Sequence, residues 1–386
     1  MNRPLAVLFL TILVNLVGFG IIIPLLPFYA QTFGASPLVI GLLFATFSVC
    51  QLIASPVLGA WSDRWGRRPV LLFSLLGTVA SFVLLALAQS LWILFVARIV
   101  DGLSGGNIST ARAYIADTTT EEQRARAYGV LGAAFGLGFI IGPALSGILS
   151  PFGYTAPIWA AAGLTLTAAL LAFLWLPETV HRAHAGGMAW WRVLPEMLGR
   201  LGVRRVLWVD FLYWSAQAVY QTTFALFGAQ RFGFDAAQIG YLLSAFAVLG
   251  VIVQAGLIGP IVRKFGEHRT FVTGAALGAA GLGAAAFAQS LPVFLAVMIP
   301  AALGMGLCGP TIVAVLSRCV SASEQGRLQG SAGALESFGR AAGPVWGHAL
   351  LQRFGEGTAY ASAAIALACA ALLIRGPSPS YDNRKT

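Results

Sequence analysis

An acid and a base that lie three residues apart within an apolar run are the first candidates for chemistry in this chain. Arg98 and Asp101 share one helical face, at roughly 15 Å from the outer end of their run. A charge near the centre of a bilayer is costly, so buried ionisable side chains are functional candidates. We predict that Asp101 binds and releases a proton and that Arg98 pairs with its ionised form. The alternative is a permanent structural ion pair.

A second acid–base pair, Glu336 and Arg340, lies four residues apart in a later apolar run. It is a second candidate for proton binding, or a pair that orients a substrate. His348 follows on the same helix and could relay protons, although a single histidine near a helix end more often packs against its neighbours. Asp210 lies close to the start of its own run, so we expect it to reach water or the arginines at 204–205 and to be structural.

The elements that must position these side chains are apolar helices. The chain has 386 residues, of which 58% are hydrophobic and 10% charged, too few charges for a soluble surface. Its apolar runs are continuous rather than alternating, which favours helices over barrel strands. Each has about the 20 residues that span a bilayer. The sequence therefore predicts an all-α membrane protein with twelve spans, at 5–28, 38–60, 69–89, 91–116, 127–149, 157–176, 206–230, 237–261, 270–289, 291–316, 328–351 and 358–375.

The chain repeats itself. The four residues at 88–91 recur at 288–291, and Gly142-Pro143 recurs as Gly343-Pro344, at offsets of 200 and 201. Two parallel membrane repeats usually form a transporter with its binding site between them. The predicted organisation is a six-helix bundle, a cytoplasmic linker with an interfacial helix, a second six-helix bundle and a cytoplasmic tail, at 1–176, 177–205, 206–375 and 376–386.

The net charge of +10 is explained by topology. Lysine and arginine concentrate in alternate connections, which places both termini and the linker in the cytoplasm. No nucleic-acid partner is therefore expected. The four cysteines match no metal or disulfide spacing. Because no phosphate-binding loop, histidine cluster or nucleophile motif is present, we expect neither an enzyme nor a cofactor or metal.

Two motifs accompany the charged pairs. The connection between the second and third runs contains Gly59, Asp63, Arg64, Gly66, Arg67 and Arg68. A carboxylate at Asp63 can meet the positive end of a neighbouring helix and fix one state of two moving halves; alternatively, the loop only sets topology. Arg263 replaces the aspartate in the second half.

The fifth run carries regularly spaced glycines and a proline, which let helices approach closely and bend. The glycines predict close packing, and the family resemblance given below implies in addition a hinge and seal there. The residues are Gly132, Gly136, Gly138, Gly142, Pro143 and Gly147.

These motifs resemble the signature loop of the major facilitator superfamily and the antiporter motif of its twelve-helix drug:proton branch. Further stretches at 62–64, 115–119 and 325–330 resemble the tetracycline:proton antiporters. The resemblance implies two pseudo-symmetric six-helix bundles and proton-coupled efflux of hydrophobic or amphipathic drugs by alternating access. It also implies a monomer in the bacterial inner membrane, with protons, lipid and a drug-like molecule as its partners, and helix eleven as the neighbour of Asp63.

The chain departs from the tetracycline exporters where they carry membrane acids. Asn15, Ser81 and an apolar stretch near Leu277 occupy those positions. A proton-symporting or facilitative importer of a metabolite is therefore an alternative, and a transport-inactive sensor is a third.

Polar and aromatic residues at mid-depth are predicted to line the cavity, since amides and aromatic rings suit a large cationic or zwitterionic molecule. They are Asn15, Phe19, Gln51, Asn107, Trp214, Gln217, Tyr220, Gln221 and Gln254.

Overall fold

The structure is a computed structural model that describes residues 3–105, 107–119, 121–179, 190–321 and 324–375. The described chain is built from α-helices, together with a 3-10 turn at Ser150–Phe152 and a π-helical segment at Val253–Leu257. The α-helices are α1 (Arg3–Gln31), α2 (Pro37–Trp65), α3 (Arg67–Ala86), α4 (Leu91–Leu103), α5 (Asn107–Thr118), α6 (Glu121–Leu149), α7 (Thr155–Trp175), α8 (Trp190–Gly199), α9 (Leu201–Phe232), α10 (Ala236–Ile252), α11 (Ile258–Phe287), α12 (Leu291–Ser317), α13 (Gln325–Phe354) and α14 (Glu356–Ile374).

These helices provide twelve membrane spans. By length and composition, eight helical segments of the described chain are long and apolar enough to cross a bilayer. One of them, Ala236–Phe287, has 52 residues, and Gly266, with φ 77° and ψ 161°, divides it into two. The α4–α5 pair, α9 and α13 are more polar and complete the count. The predicted all-α membrane fold is confirmed, and the described helices fit a count of twelve spans.

The chain divides into two compact units. The first comprises Met1–Gly187 and Phe234–Ala245, and the second comprises Met188–Gly233 and Phe246–Thr386. The start of α10 thus groups with the first unit, although its sequence belongs to the second repeat. The reason is close packing, because a Cβ atom added to Gly240 would lie 2.5 Å from the Pro143 carbonyl oxygen in α6.

In the first unit, α1 packs against α6 and α7, and α3 packs against α4 and α7. Apolar side chains that recur every three or four residues build its core, as in Leu8, Ile12 and Leu16 of α1. Tyr114 of α5 and Leu75 of α3 belong to the same buried cluster. This core includes α3, the helix that begins with Arg67 and Arg68 of the signature loop.

In the second unit, α9 packs against α13 and α14, and α11 packs against α12 and α14. Phe227 of α9 stacks on Tyr360 of α14 at 4.4 Å and on Phe294 of α12 at 5.4 Å, measured between ring centroids. A Cβ atom added to Gly343 of α13 would lie 2.6 Å from the Ser215 carbonyl oxygen, so glycine is what lets α13 approach α9.

Candidate functional site

Arg98 and Asp101 form a buried ion pair in α4. The guanidinium lies 2.9 Å from the carboxylate, and the two side chains are 2% and 10% exposed. Arg98 also lies over the Phe47 ring of α2, 4.4 Å from its centroid. The Thr78 hydroxyl of α3 lies close to the Asp101 carboxylate and interacts with it favourably. Three helices therefore supply partners for the two charges.

The helix ends next to this pair, which corrects the continuous fourth span predicted at 91–116. α4 ends at Leu103 and α5 begins at Asn107. Gly102, next to this end of α4, packs closely on α2, since a Cβ atom added to it would lie 2.6 Å from the Cys50 Cβ atom. Gln51, a predicted cavity residue, donates its Nε2 hydrogen to the Gly105 carbonyl oxygen at 3.3 Å. It thus satisfies a carbonyl group that the broken helix leaves without a helical partner.

The signature loop is organised around Arg67. Its guanidinium donates to Asp63 at 2.5 Å and to Asp117 of α5 at 2.9 Å, and it also bonds Ser62 at 3.1 Å. Arg67 is buried, whereas Arg64 is exposed and Gly59 has no neighbour that an added Cβ atom would meet. Asp63 therefore acts inside the loop by holding Arg67.

The start of α3 is capped by Glu178, which follows α7. The backbone N–H groups of Arg67 and Arg68 donate to its carboxylate at 2.9 and 3.2 Å, where the helix dipole favours an anion. Gly66 has φ 109°, and a Cβ atom there would lie 2.2 Å from Glu178 Oε2. Sequence reasoning missed Glu178 and Asp117 as partners, although both are acids in connections that otherwise carry arginines.

The second unit repeats this arrangement with its charges exchanged. Glu267 pairs with Arg318, at offsets of 200 and 201 from Arg67 and Asp117. His268 Nε2 lies 2.5 Å from the Ile374 carbonyl oxygen at the end of α14. In the first unit, Arg68 bonds the carbonyl oxygen of Phe173 near the end of α7.

The glycines of α6 serve different purposes. Cβ atoms added to Gly138 and Gly142 would lie 2.5 Å from the Leu16 Cβ atom and 2.6 Å from the Val17 carbonyl oxygen of α1. A Cβ atom at Gly147 would lie 2.9 Å from the Ala237 carbonyl oxygen. Gly132 has nothing within 4 Å of its added Cβ atom. The Gly138 and Gly142 positions of the motif thus form a close contact with α1, and Gly132 is not part of that contact.

The remaining motif residues lie in the same helix. Gly136 is half-buried and Pro143 is buried. The Cδ atom of Pro143 lies 3.0 Å from the position of a Cβ atom added to Gly20, so the proline packs against α1 as well.

The predicted cavity residues of the first unit are only partly brought together. Asn15 and Phe19 are half-buried on α1. The Phe19 ring lies 5.7 Å from the Phe47 ring that covers Arg98, so it belongs to the surroundings of the ion pair. Asn107 begins α5, and its side chain lies outside the described residues.

In the second unit, Trp214, Gln217 and Gln221 are half-buried along α9, whereas Gln254 is exposed in the π-helical segment. Tyr220 is 8% exposed and packs against Phe224 and Tyr360. These contacts fit packing between α9 and α14, and its role as a cavity residue stays a prediction.

Glu336 and Arg340 are brought together on α13, with 3.6 Å between nitrogen and oxygen and side chains 23% and 32% exposed. Arg340 lies over the Trp214 ring at 5.2 Å and donates to Ser337 at 3.2 Å. His348 is fully buried, with Nδ1 2.8 Å from the Pro344 carbonyl oxygen. Its position fits packing between helices.

Asp210 is not where the sequence predicted. Its side chain is 0% exposed, and it interacts electrostatically with Glu336, Arg340 and the Trp214 indole. The expectation that it would reach water or the arginines at 204–205 is wrong. The physical reason is the length of α9, which begins at Leu201 and places Asp210 more than two turns inside the helix, on the face that packs against α13.

Comparisons with known proteins agree with this architecture. A family model described as Major Facilitator Superfamily matches residues 8–257 and 222–386. The class G tetracycline resistance protein of Vibrio anguillarum is 37% identical over 337 residues, which are 85% of each chain. The class C tetracycline resistance protein of Escherichia coli is 36% identical over 352 residues, covering 89% of this chain and 88% of the relative.

Multidrug resistance protein 2 of Bacillus subtilis (strain 168) is 30% identical over 352 residues, covering 88% of this chain and 87% of that protein. Among solved structures, the human organic anion transporter MFSD10 (TETRAN) has a TM-score of 0.75 at 25% identity, covering 97% of this chain and 99% of that one. The nucleoside transporter NupG shares the fold, with a TM-score of 0.78 at 14% identity and 97% and 100% coverage. This multi-pass membrane protein is therefore a transporter rather than an enzyme, and it belongs to the Major Facilitator Superfamily.

Proposed function

We propose that this transporter exports drug-like molecules from the bacterial cytoplasm in exchange for protons, by alternating access. The printed names of its relatives, tetracycline and multidrug resistance proteins, support the substrate class. The buried Arg98–Asp101 pair is the main observation in support of proton exchange. Ionisable side chains inside a membrane span are costly to place there, so such a pair points to a function. The arginine-rich alternate connections support an orientation with both termini in the cytoplasm, and a monomer suffices.

The proposed proton step uses contacts that Arg98 already makes. When Asp101 is ionised, it holds the Arg98 guanidinium at 2.9 Å. When Asp101 accepts a proton, the ion pair is lost, and Arg98 retains the Phe47 ring as its partner. Because α4 ends two residues beyond Asp101, a small change at the carboxyl can move the end of the helix. Proton binding can thereby alter the packing of α4 on α2.

The substrate is proposed to contact half-buried amides and aromatic rings in each unit. Asn15 and Phe19 in the first unit, and Trp214, Gln217 and Gln221 in the second, offer apolar area with a few hydrogen-bonding groups. Arg340 and Glu336 can orient charged parts of a drug. Together these groups suit amphipathic molecules that carry both charge and rings.

The test is proton flux in proteoliposomes with an imposed pH gradient and a pH-sensitive dye inside. Ethidium, a quinolone, chloramphenicol and tetracycline are added in turn, with protein-free liposomes as the blank. We expect at least one compound to collapse the gradient in the wild type, and Asp101→Asn to abolish that response because it cannot ionise.

Asp235→Asn is the matched control. Asp235 is exposed and caps α10 by accepting from the Gln238 N–H at 2.8 Å, a role that asparagine fills equally well. Normal coupled flux in a folded Asp101→Asn protein would show that Asp101 is not the proton carrier. Silence with all four drugs, together with uptake of a radiolabelled sugar or organic acid, would favour an importer.

A further inference from the structure

Asp210 is a buried acid that the proposed mechanism does not use. Its side chain is 0% exposed, and both carboxylate oxygens are shielded from solvent. Within the described part of the chain, no lysine, arginine or histidine nitrogen lies within 4.0 Å of it. An ionised carboxylate without a close counter-charge is expensive in a protein interior, whereas a neutral carboxyl group is tolerated. The surroundings of Asp210 therefore favour sharing or accepting a proton.

The groups around Asp210 carry unequal charge. From α13 it faces Glu336 and Arg340, and from its own helix Trp214 and Tyr213; Cys308 of α12 lies near Tyr213. Tyrosine and cysteine are neutral here, so the charged members are two carboxyl groups and one guanidinium. With all three ionised, the group has one negative charge in excess. One added proton makes it neutral.

We propose that Asp210 and Glu336 share a single proton, with Arg340 as their common counter-charge, and that they form a second proton-binding site in the second unit. Glu336 lies 3.6 Å from Arg340, so the guanidinium can balance one carboxylate but not both. Loss of the proton leaves the group negative, and therefore requires either entry of water or a cation in its place. The use of this site in transport rests on the proposed proton exchange, whereas the shared proton itself does not.

Infrared difference spectroscopy on the purified full chain at neutral pH tests the proposal without any substrate. The wild type is expected to show the carbonyl band of a protonated carboxyl group that disappears in both Asp210→Asn and Glu336→Gln. Each variant leaves one carboxylate and one guanidinium, which neutralise each other without a proton. Arg340→Gln is expected to add a second protonated carboxyl group, because it removes the counter-charge.

Glu356→Gln is the matched control, since Glu356 has its own partner in the same unit, Arg231 at 2.8 Å, and its loss leaves the band unchanged. A band lost in Asp210→Asn but kept in Glu336→Gln would overturn sharing, because Asp210 would hold a proton alone. A band that survives in Asp210→Asn would overturn the site altogether. If size-exclusion chromatography shows that Asp210→Asn is not folded, the Glu336→Gln and Arg340→Gln spectra still test whether the proton is shared.

Transport separates this inference from the proposed function. If the infrared pattern holds while no drug moves protons, the shared-proton site stands and the proposed exchange fails. If drugs move protons, we expect Glu336→Gln to lower the number of protons moved per substrate molecule. An unchanged proton number would contradict a transport role for the site.

Discussion

At the scale of single residues, the same contact is built twice with opposite charges. Arg67 holds Asp117 at 2.9 Å in the first unit, and Glu267 holds Arg318 at the equivalent positions of the second. The aspartate of the first loop, Asp63, corresponds to an arginine in the second loop, as the exchanged partner requires. The ion pair between the loop and the end of a helix thus depends on complementarity rather than on which side carries which sign.

Reversing Arg67 alone is expected to destabilise the protein, because Arg67→Glu places a carboxylate between Asp63 and Asp117. The two acids are 22% and 21% exposed, so we expect a loss of about 2 kcal/mol, below the usual cost for a fully buried pair. Thermal unfolding of the purified protein measures the loss. The triple variant that also contains Asp63→Arg and Asp117→Arg reproduces the charges of the second loop and is expected to recover most of it. A triple variant no more stable than Arg67→Glu would contradict the interpretation.

At the scale of helices, glycines allow α4 and α6 to pack closely against their neighbours. The break between α4 and α5 lies where Gly102 contacts α2, and α6 contacts α1 through Gly138 and Gly142. Side chains cannot enter these contacts without moving the backbone. A hinge in α6 would therefore depend on Gly138 and Gly142, which contact α1, and not on Gly132, which has nothing within 4 Å of an added Cβ atom.

The two ends of the α6 motif are expected to respond oppositely to alanine. In Gly142→Ala the new methyl group would lie 2.6 Å from the Val17 carbonyl oxygen and 2.7 Å from the Gly20 Cα atom, so α1 and α6 must separate. We expect a loss of about 1–3 kcal/mol and slower transport. Gly132→Ala, with nothing within 4 Å, is the matched control, and it is expected to be neutral or to gain up to about 1 kcal/mol. Thermal unfolding and flux measured on both variants test this; equal behaviour would exclude a packing role for Gly142.

At the scale of the whole molecule, the linker helix belongs to the second unit. Val193, Leu194 and Met197 of α8 are buried, and Trp190 lies 5.6 Å from the Phe338 ring of α13. Ion pairs also join α8 and the residue after it to the start of α13, namely Arg200–Glu324 and Arg327–Glu196. The connection between the two repeats is thus held to one of them by both apolar and charged contacts.

Docking of α8 is expected to weaken in acid. The hydrogen bond from Arg200 holds the pKa of Glu324 below its usual range, so the ion pair stabilises docking above that range and is lost as the pH falls through the lowered value. The protection factors of the amides at 190–199, which correct exchange rates for their intrinsic pH dependence, are expected to fall more in the wild type than in Glu324→Gln between neutral pH and about pH 3. The same fall in both proteins would show that Glu324 does not control docking.

The sequence was sufficient to predict where the helices lie, but not which helices contact one another. Apolar runs predict spans because lipid requires them, and the repeat and positive loops predict the order of elements. The break after Asp101 escaped prediction because run length alone predicts one continuous span at 91–116. Asp210 was misplaced because its environment is set by α13, a segment distant in the sequence. The pairs formed within one helix, Arg98–Asp101 and Glu336–Arg340, followed directly from their spacing.

Gly66 and Gly266 adopt nearly the same backbone conformation, with φ 109° and 77° and ψ 157° and 161°. They are 200 residues apart, at matching positions of a duplicated unit. Around them the charges are exchanged between the two copies, while the positive-φ glycine is kept. The two copies of the loop thus differ in the signs of their charges but share the backbone conformation of this glycine. The turn is the inherited part of this loop, and the charge pattern is the part in which the two copies diverged.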